Sequence, residues 1–135
     1  MKIYLDTSAL VRLISDEAGN IEVRAFFDRL QDEGYTFVTT VITEVELRRT
    51  VQKLGIPQSA VSDVLENVHL IPVDRPIILR AGLVGIPKGL EYLRSLDAIH
   101  VATAEYVQPG FAITYDKKQA KAFEDVGISV KLSEP

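Results

Sequence analysis

The sequence contains neither cysteine nor tryptophan among its 135 residues. Without cysteine the chain has no disulfide framework, no thiolate metal site and no cysteine nucleophile, which is typical of a reducing, cytoplasmic setting. Long apolar runs are missing too. The stretch after Lys2 is interrupted by Asp6, and no later stretch approaches the roughly 20 residues needed to cross a bilayer. We therefore expect a soluble protein without a signal peptide or a membrane partner.

The chain also has no excess of positive charge, because its formal net charge is -4. This argues against a generic basic nucleic-acid binder, since most sequence-independent affinity for nucleic acid comes from Lys and Arg at phosphates. Apolar residues make up 47% of the chain, enough for one real core. The length is too short for two ordinary domains, so we expect a single domain over residues 1–135.

Strand and helix signals alternate along the chain. Short apolar or β-branched runs predict strands at residues 1–5, 36–40, 68–73, 110–114 and 128–132. Apolar periodicity predicts helices at 9–15, 21–32, 41–53, 57–67, 74–84, 96–107 and 117–125, with a loop at 88–94. On the second helix, the residues predicted to face inward are Ile21, Ala25, Phe26 and Leu30. The alternation predicts an α/β class, a three-layer α/β/α domain with a central, mainly parallel sheet.

Acidic residues stand at the boundaries or in the first turns of these predicted elements: Asp6, the pair Glu44 and Glu46, Asp97 and Asp116. Asp6 follows the first strand and precedes a helix that Thr7 and Ser8 can cap. Ligands of parallel sheets usually bind at the carboxyl ends of the strands. Each acid also has an ordinary structural explanation as a helix cap or a first-turn carboxylate. The set is harder to explain in this way, because buried ionisable groups need a compensating partner.

Convergence of these acids would have a clear electrostatic consequence. Two carboxylates roughly 5 Å apart repel by about 3 kcal/mol at an effective dielectric near 20. A cluster would therefore need a cation, and oxygen ligands without a His or Cys cluster favour Mg²⁺ or Mn²⁺ over zinc. Glu44 and Glu46 lie two residues apart on a predicted helix, so only one of them can point into the cluster. The sequence leaves that choice open.

Basic residues accompany the acids. Lys117 and Lys118 fall in the first turn of the last predicted helix, where the helix dipole disfavours positive charge, so a passing phosphate would explain them better. Arg49 lies near the predicted Glu46 helix turn, and Arg12 lies on the polar side of the first helix. Solvated surface charge is an equally good explanation for all four. His100 follows Asp97 by three residues and is either a proton relay or, more commonly, a hydrogen-bonded core histidine.

Three stretches carry a resemblance to a known family: LDTSAL at 5–10, LDAIHVATA at 96–104, and Thr114-Tyr115-Asp116 followed by a helix. They resemble the PIN-domain ribonucleases, in particular the VapC toxins of prokaryotic toxin-antitoxin modules. The similarity spans the whole chain. The middle stretch is the most specific of the three, whereas Asp-Thr-Ser alone would be weak.

The resemblance implies an endoribonuclease that uses Mg²⁺ or Mn²⁺ to hydrolyse RNA, with tRNA, rRNA or mRNA as possible targets. It implies that Asp6, Glu46, Asp97 and Asp116 are catalytic and that Asp6, Asp97 and Asp116 bind the metal. Supporting hydroxyls would come from Thr7, Ser8 and Thr114. From the positions of the basic residues we predict RNA contacts at Arg12, Arg49, Lys117 and Lys118. The resemblance chooses Glu46 over Glu44 because Thr40, Glu46 and Arg49 match the family's usual spacing. A small cognate antitoxin and a homodimer are implied as well.

Other interpretations remain. A phosphoacceptor receiver domain is also a small parallel α/β protein with an acidic Mg²⁺ pocket, but it needs paired acids after its first strand, and Asp6 has no acidic neighbour. A Lys would be expected near the position of Asp116. A PIN nuclease of RNA processing that is not a toxin is a second alternative, and a PIN-like scaffold that binds without cutting is a third. All four acids are present in the sequence, which argues against the scaffold.

Overall fold

The computed structural model describes residues 1–15, 20–84 and 93–132, and every statement below concerns that part of the chain. Its strands are β1 (Lys2–Leu5), β2 (Thr36–Thr40), β3 (Val68–Ile71), β4 (Phe111–Ile113) and β5 (Val130–Lys131). Its helices are α1 (Thr7–Ile14), α2 (Asn20–Asp32), α3 (Ile42–Leu54), α4 (Ser59–Leu65), α5 (Arg75–Leu83), α6 (Ser95–Val107) and α7 (Lys117–Asp125). Most of the predicted loop at 88–94 lies outside the described residues.

The described strands form one parallel sheet in the order β3-β2-β1-β4-β5. β1 pairs with β2 on one side and with β4 on the other, both in parallel register. The predicted α/β class with a central parallel sheet is therefore confirmed. The strand order reverses between β1 and β4, and in open parallel sheets such a reversal opens a crevice at the carboxyl ends of the two strands.

Helices cover both faces of the sheet, which gives the predicted three layers. Alternation along β1 sends Ile3 and Leu5 into one core cluster and Tyr4 into the other. The first cluster includes Leu10 of α1, Val23 and Phe27 of α2, Leu47 and Val51 of α3 and Val61 of α4. The second includes Val101 and Ala104 of α6 together with Ala122 and Phe123 of α7. Since β1 is buried on both faces, its carboxyl end is fixed firmly between the layers.

Several local predictions were wrong in detail. α1 begins at Thr7 with Asp6 as its N-cap, so Thr7 and Ser8 lie inside the helix instead of capping it. Ser95 is likewise the first residue of α6, and the N-cap residue there is Arg94, which makes no side-chain cap. On α2 the predicted inward face is incorrect at Ile21 and Ala25, which are exposed.

The strand β3 is only partly buried, although its apolar sequence predicted a buried strand. It lies at the edge of the sheet and pairs with β2 alone, so half of its surface has no neighbouring strand. None of the helices that the structure describes combines the length and the apolar character needed to cross a membrane.

Candidate active site at the carboxyl edge of the sheet

Asp6 is the residue that joins β1 to α1, and its carboxylate is surrounded by donors. Oδ1 accepts the Ser8 hydroxyl at 2.7 Å and the Ala9 amide at 3.3 Å. Oδ2 accepts the Thr114 hydroxyl at 2.6 Å from the end of the neighbouring strand β4. Only 5% of Asp6 is exposed. Asp6 is therefore both the cap of α1 and a link across the point where the strand order reverses.

The burial of Asp6 opposes its charge. Burial raises the pKa of its carboxyl above the ordinary value, and the nearby His100 and the hydrogen bonds from Thr114, Ser8 and Ala9 lower it only in part. The hydrogen-bonding partners of this carboxylate are hydroxyls and a backbone amide, all of them neutral groups. An added cation at this edge would offset the cost of the buried charge.

Glu46 points to the same edge from α3, which packs in the same helical layer as α1. Its Oε1 accepts the Thr7 hydroxyl at 2.6 Å and lies 3.0 Å from Nε2 of His100. Burial raises the pKa of Glu46, but the hydrogen bonds from His100 and Thr7 outweigh it, so the pKa is lowered below its ordinary value. Glu44 instead makes an ion pair with Arg48 at 2.8 Å. Glu46, and not Glu44, therefore points towards the edge of the sheet where Asp6 lies.

Asp97 and Asp116 begin the two helices on the other side of the crevice. Asp116 is the N-cap of α7, and its Oδ1 accepts the amides of Lys118 at 2.9 Å and Gln119 at 3.2 Å. The Gln119 side chain is buried and donates to the Asp97 carbonyl at 3.3 Å, which ties the first turn of α6 to the first turn of α7. The amide of Asp116 also donates to Thr114 at 3.1 Å, so Asp116 is linked through Thr114 to Asp6.

These side chains surround an open cleft of about 710 Å³. Its acidic lining comes from α3, α6 and α7, and its basic lining comes from the residue before α6 and the first turn of α7: Glu46, Asp97, Asp116, Arg94, Lys117 and Lys118. Asp6 is not part of the lining and lies buried behind Thr114 and Ser8. The cleft therefore presents carboxylates beside cations, a charge pattern suited to a phosphate accompanied by a metal ion.

The predicted RNA contacts fall into two groups. Lys117 and Lys118 are exposed on the cleft, as expected for groups that meet a phosphate. Arg12 does not line the cleft, and its guanidinium lies 4.6 Å from the ring centroid of Tyr115. Arg49 is exposed on α3 outside the lining. A contact from Arg12 or Arg49 would need RNA that extends beyond the cleft.

Two residues of this edge, Arg94 and His100, were not among the predicted site residues. Arg94 lines the cleft, but it stood at the end of a predicted loop, and only its position three residues before Asp97 could have indicated its place. His100 is buried and contacts Glu46, whereas its sequence spacing related it only to Asp97. The partner that matters is 54 residues away in the chain, so no local pattern could reveal it.

The donor chemistry of the site suits a hard divalent cation, because all four predicted acids supply carboxylate oxygen. Across the three described ranges, however, no three Asp, Glu or His side chains lie close enough together to hold one metal ion. The acids share one edge of the sheet without forming a closed ligand set, and the metal ligands remain a prediction.

The protein is thus a parallel α/β domain with an acid-lined cleft beside the point where the order of its strands reverses. The chain belongs to the PIN domain family, whose model matches residues 3–124. It is 38% identical over 136 residues to Ribonuclease VapC35 of Mycobacterium tuberculosis, covering 95% of this chain and 94% of that protein. Ribonuclease VapC47 of the same organism is 32% identical over 130 residues, with 93% of each chain covered.

A solved structure supports the fold assignment. The crystal structure of VapBC2 from Rickettsia felis, bound to a DNA fragment from its promoter, matches with a TM-score of 0.75 at 16% identity and covers 98% of each chain. The resemblance read from the sequence is therefore confirmed, and the receiver-domain alternative is wrong. The strand order agrees, because receiver domains arrange their strands as 2-1-3-4-5 instead of 3-2-1-4-5.

Proposed function

We propose that this chain is a metal-dependent endoribonuclease that hydrolyses RNA phosphodiester bonds, and that it is the toxin of a VapBC-like toxin-antitoxin system. The observation that carries the proposal is the cleft at the carboxyl edge of the sheet, where three carboxylates from three helices lie beside three basic side chains. Two relatives that match along nearly the whole chain are ribonucleases named VapC, which supports RNA as the substrate.

Asp6, Asp97 and Asp116 are the proposed holders of Mg²⁺ or Mn²⁺, and Glu46 completes the acidic set. Such an ion would lower the pKa of a water molecule and offset negative charge on the phosphate under attack. The protein's own contribution is orientation. Thr114 and Ser8 hold the Asp6 carboxylate from two sides, and Gln119 fixes the two helix starts that carry Asp97 and Asp116.

The basic residues of the cleft would bind the phosphates on either side of the phosphodiester bond that is hydrolysed. Lys117 and Lys118 are exposed to solvent, so their side chains can adjust to a flexible RNA backbone. The proposed substrate is unpaired RNA, in tRNA, rRNA or mRNA, because proteins most readily reach and position the phosphates and bases of unpaired segments. Cytoplasmic location, a homodimer and a small cognate antitoxin that occludes the cleft belong to the same proposal.

Metal removal provides the direct test of this function. Purified protein is expected to cleave single-stranded RNA in the presence of Mg²⁺ or Mn²⁺, and to lose cleavage when a chelator is added and regain it when the metal is restored. The measurement is the rate of appearance of RNA fragments on a denaturing gel. Cleavage that persists undiminished in chelator would overturn the metal-dependent mechanism.

The basic side of the cleft gives a separate prediction. Lys117→Ala and Lys118→Ala should each make RNA binding less salt-dependent, because the slope of log affinity against log salt changes by about 0.7 for each phosphate of a single strand that a lysine no longer neutralises. Binding is measured by fluorescence anisotropy across a salt series. Lys2→Ala is the matched control, since Lys2 begins β1 at the opposite edge of the sheet. Equal slopes in all four proteins would reject the phosphate contacts.

A further inference from the structure

A chain of hydrogen bonds runs from the buried core to the cleft at this edge. The Tyr4 hydroxyl lies 2.7 Å from Nδ1 of His100, and Nε2 of His100 lies 3.0 Å from Oε1 of Glu46. The Thr7 hydroxyl donates to the same Oε1 at 2.6 Å. These four residues come from β1, α6, α3 and α1, so their hydrogen bonds connect both helical layers across the end of the sheet.

The buried part of this series of hydrogen bonds, formed by Tyr4 and His100, is rigid. Tyr4 is completely buried and His100 is 3% exposed. Their rings meet edge to face with centroids 5.9 Å apart, and the other side of Tyr4 packs against Phe123. Neither ring can turn without disturbing the core between the sheet and α7. The imidazole is therefore presented to Glu46 in one orientation.

Hydrogen-bond accounting indicates which nitrogen carries the proton. A neutral imidazole has one donor and one acceptor, and a phenol is a natural donor. An ordinary phenol is protonated at neutral pH, so the Tyr4 hydroxyl has a proton to donate. When the Tyr4 hydroxyl donates to Nδ1, Nε2 must carry the hydrogen and donate to the Glu46 carboxylate. Both nitrogens of His100 then have a hydrogen-bond partner.

The two hydrogen bonds described for the Glu46 carboxylate both fall on Oε1. The carboxylate is thus held by one oxygen, and Oε2 can face the cleft that Glu46 lines. We propose that His100, held in its Nε2–H form between the Tyr4 hydroxyl and Glu46, is a positioning residue that fixes the Glu46 carboxylate for a divalent cation in the cleft. This inference rests on the proposed function for its consequences in catalysis, although the tautomer itself can be measured without any activity.

The first test is spectroscopic and uses the metal-free protein. The chain has only two histidines, and His69 is exposed, so ¹⁵N imidazole spectra contain one buried signal and one solvent reference. At fixed pH, His100 is expected to show the Nε2–H tautomer in the wild type. In Tyr4→Phe its Nδ1 signal should shift, because Nδ1 loses the hydrogen bond from the phenol while Nε2 still donates to Glu46. A wild-type Nδ1–H tautomer, or an unchanged spectrum in Tyr4→Phe, would overturn the proposal.

The second test measures Mn²⁺ affinity by calorimetry together with the kinetics of RNA cleavage. Mutation of groups that orient metal ligands typically costs 10–100-fold, so His100→Leu should weaken Mn²⁺ binding by about 10-fold or more and Tyr4→Phe by several-fold. His100→Gln should restore most of the affinity, because its amide can donate to Glu46. In cleavage, kcat should fall more than KM, since an orientation is lost and not a contact with RNA.

Thr103→Val is the matched control for these variants. Thr103 is fully buried on α6, one turn from His100, and its hydroxyl donates to the Ile99 carbonyl at 2.7 Å. The control removes a buried hydroxyl from the same helix without touching Glu46, so Mn²⁺ affinity should not change. If His100→Leu and Thr103→Val weaken Mn²⁺ binding equally, the positioning role is overturned while the nuclease remains. A wild type that neither binds Mn²⁺ nor cuts RNA would overturn the proposed function itself.

Discussion

Asp6→Asn is expected to reduce metal-dependent RNA cleavage by at least about 100-fold, because outer-shell partners of metal ligands already cost 10–100-fold and Asp6 is proposed as a direct ligand. The fold should survive this change. The amide oxygen of Asn can still cap α1 at Ala9 and accept from Ser8, and the Thr114 hydroxyl can turn to accept from the new amide. Cleavage rate and circular dichroism of the same preparation provide the measurement.

The same substitution should make the metal-free protein more stable at neutral pH. Burial raises the pKa of Asp6 in the folded state above its ordinary value of 3.8, so the folded state binds the proton more tightly than the unfolded state. The free energy of unfolding therefore falls as the pH rises from about 3.8 through the folded pKa, and then stays lower. Asn carries no charge, so this fall should disappear in the variant. Urea unfolding across a pH series with chelator present measures it.

Asp32→Asn is the appropriate control for both effects. Asp32 is exposed at the end of α2, just before β2 begins, and so lies at the opposite edge of the sheet from the cleft. It removes the same charge without touching the site, and it should change neither cleavage nor the pH dependence of stability. Wild-type cleavage by Asp6→Asn would contradict the catalytic assignment, and reduced stability at neutral pH would contradict the electrostatic one.

The sheet could be predicted from the sequence because its signals are local. The runs of residues that form β2 and α7 carry their own boundaries in β-branched residues, in the cap at Asp116 and in Gly127, whose φ of 88° is strained for any residue with a side chain. The edge that gathers the acids then follows from parallel pairing alone. The inward face of α2 was predicted correctly at Leu30 but wrongly at Ile21 and Ala25, because more than one set of its residues satisfies a helical period and only packing on the sheet decides between them.

The internal geometry of the site could not be predicted in the same way. Tyr4 and His100 are 96 residues apart in the chain, and Asp6 and Thr114 are 108 apart. Contacts over such separations depend on how the layers pack, which no periodicity encodes. Sequence patterns therefore named the acids, whereas the structure separates them into one that is buried behind hydroxyls and three that face the cleft.

Glu46→Gln tests this separation, because removing the charge of Glu46 should lower the stability of the metal-free protein at neutral pH, whereas removing the charge of Asp6 should raise it. Hydrogen bonds from His100 and Thr7 hold a charged carboxylate, and they outweigh the burial that raises its pKa. The folded pKa is therefore lowered below the ordinary 4.5, and the unfolded state binds the proton more tightly. The resulting stabilisation is present above pH 4.5 and is lost as the pH falls through the folded pKa.

The Gln variant keeps both hydrogen bonds to Oε1 but loses the negative charge of the carboxylate that accepts them. In metal-free protein at neutral pH it should be less stable than the wild type by about 1 kcal/mol, the usual advantage of a hydrogen bond to a charged group over a neutral one. Its unfolding free energy should also vary less between neutral pH and acid. RNA cleavage should fall by at least about 10-fold, as expected when a carboxylate that faces a metal is neutralised.

Glu44→Gln is the matched control, since Glu44 lies two residues earlier on α3 and makes a partly exposed ion pair with Arg48. Breaking such a pair changes stability by about 0.3–0.5 kcal/mol, and it should leave cleavage near the wild-type rate. Cleavage and urea unfolding of the two variants in parallel therefore decide which glutamate serves the site. A larger fall in cleavage in Glu44→Gln than in Glu46→Gln would assign that role to the other side of the helix and remove the structural basis for the tyrosine–histidine support of Glu46.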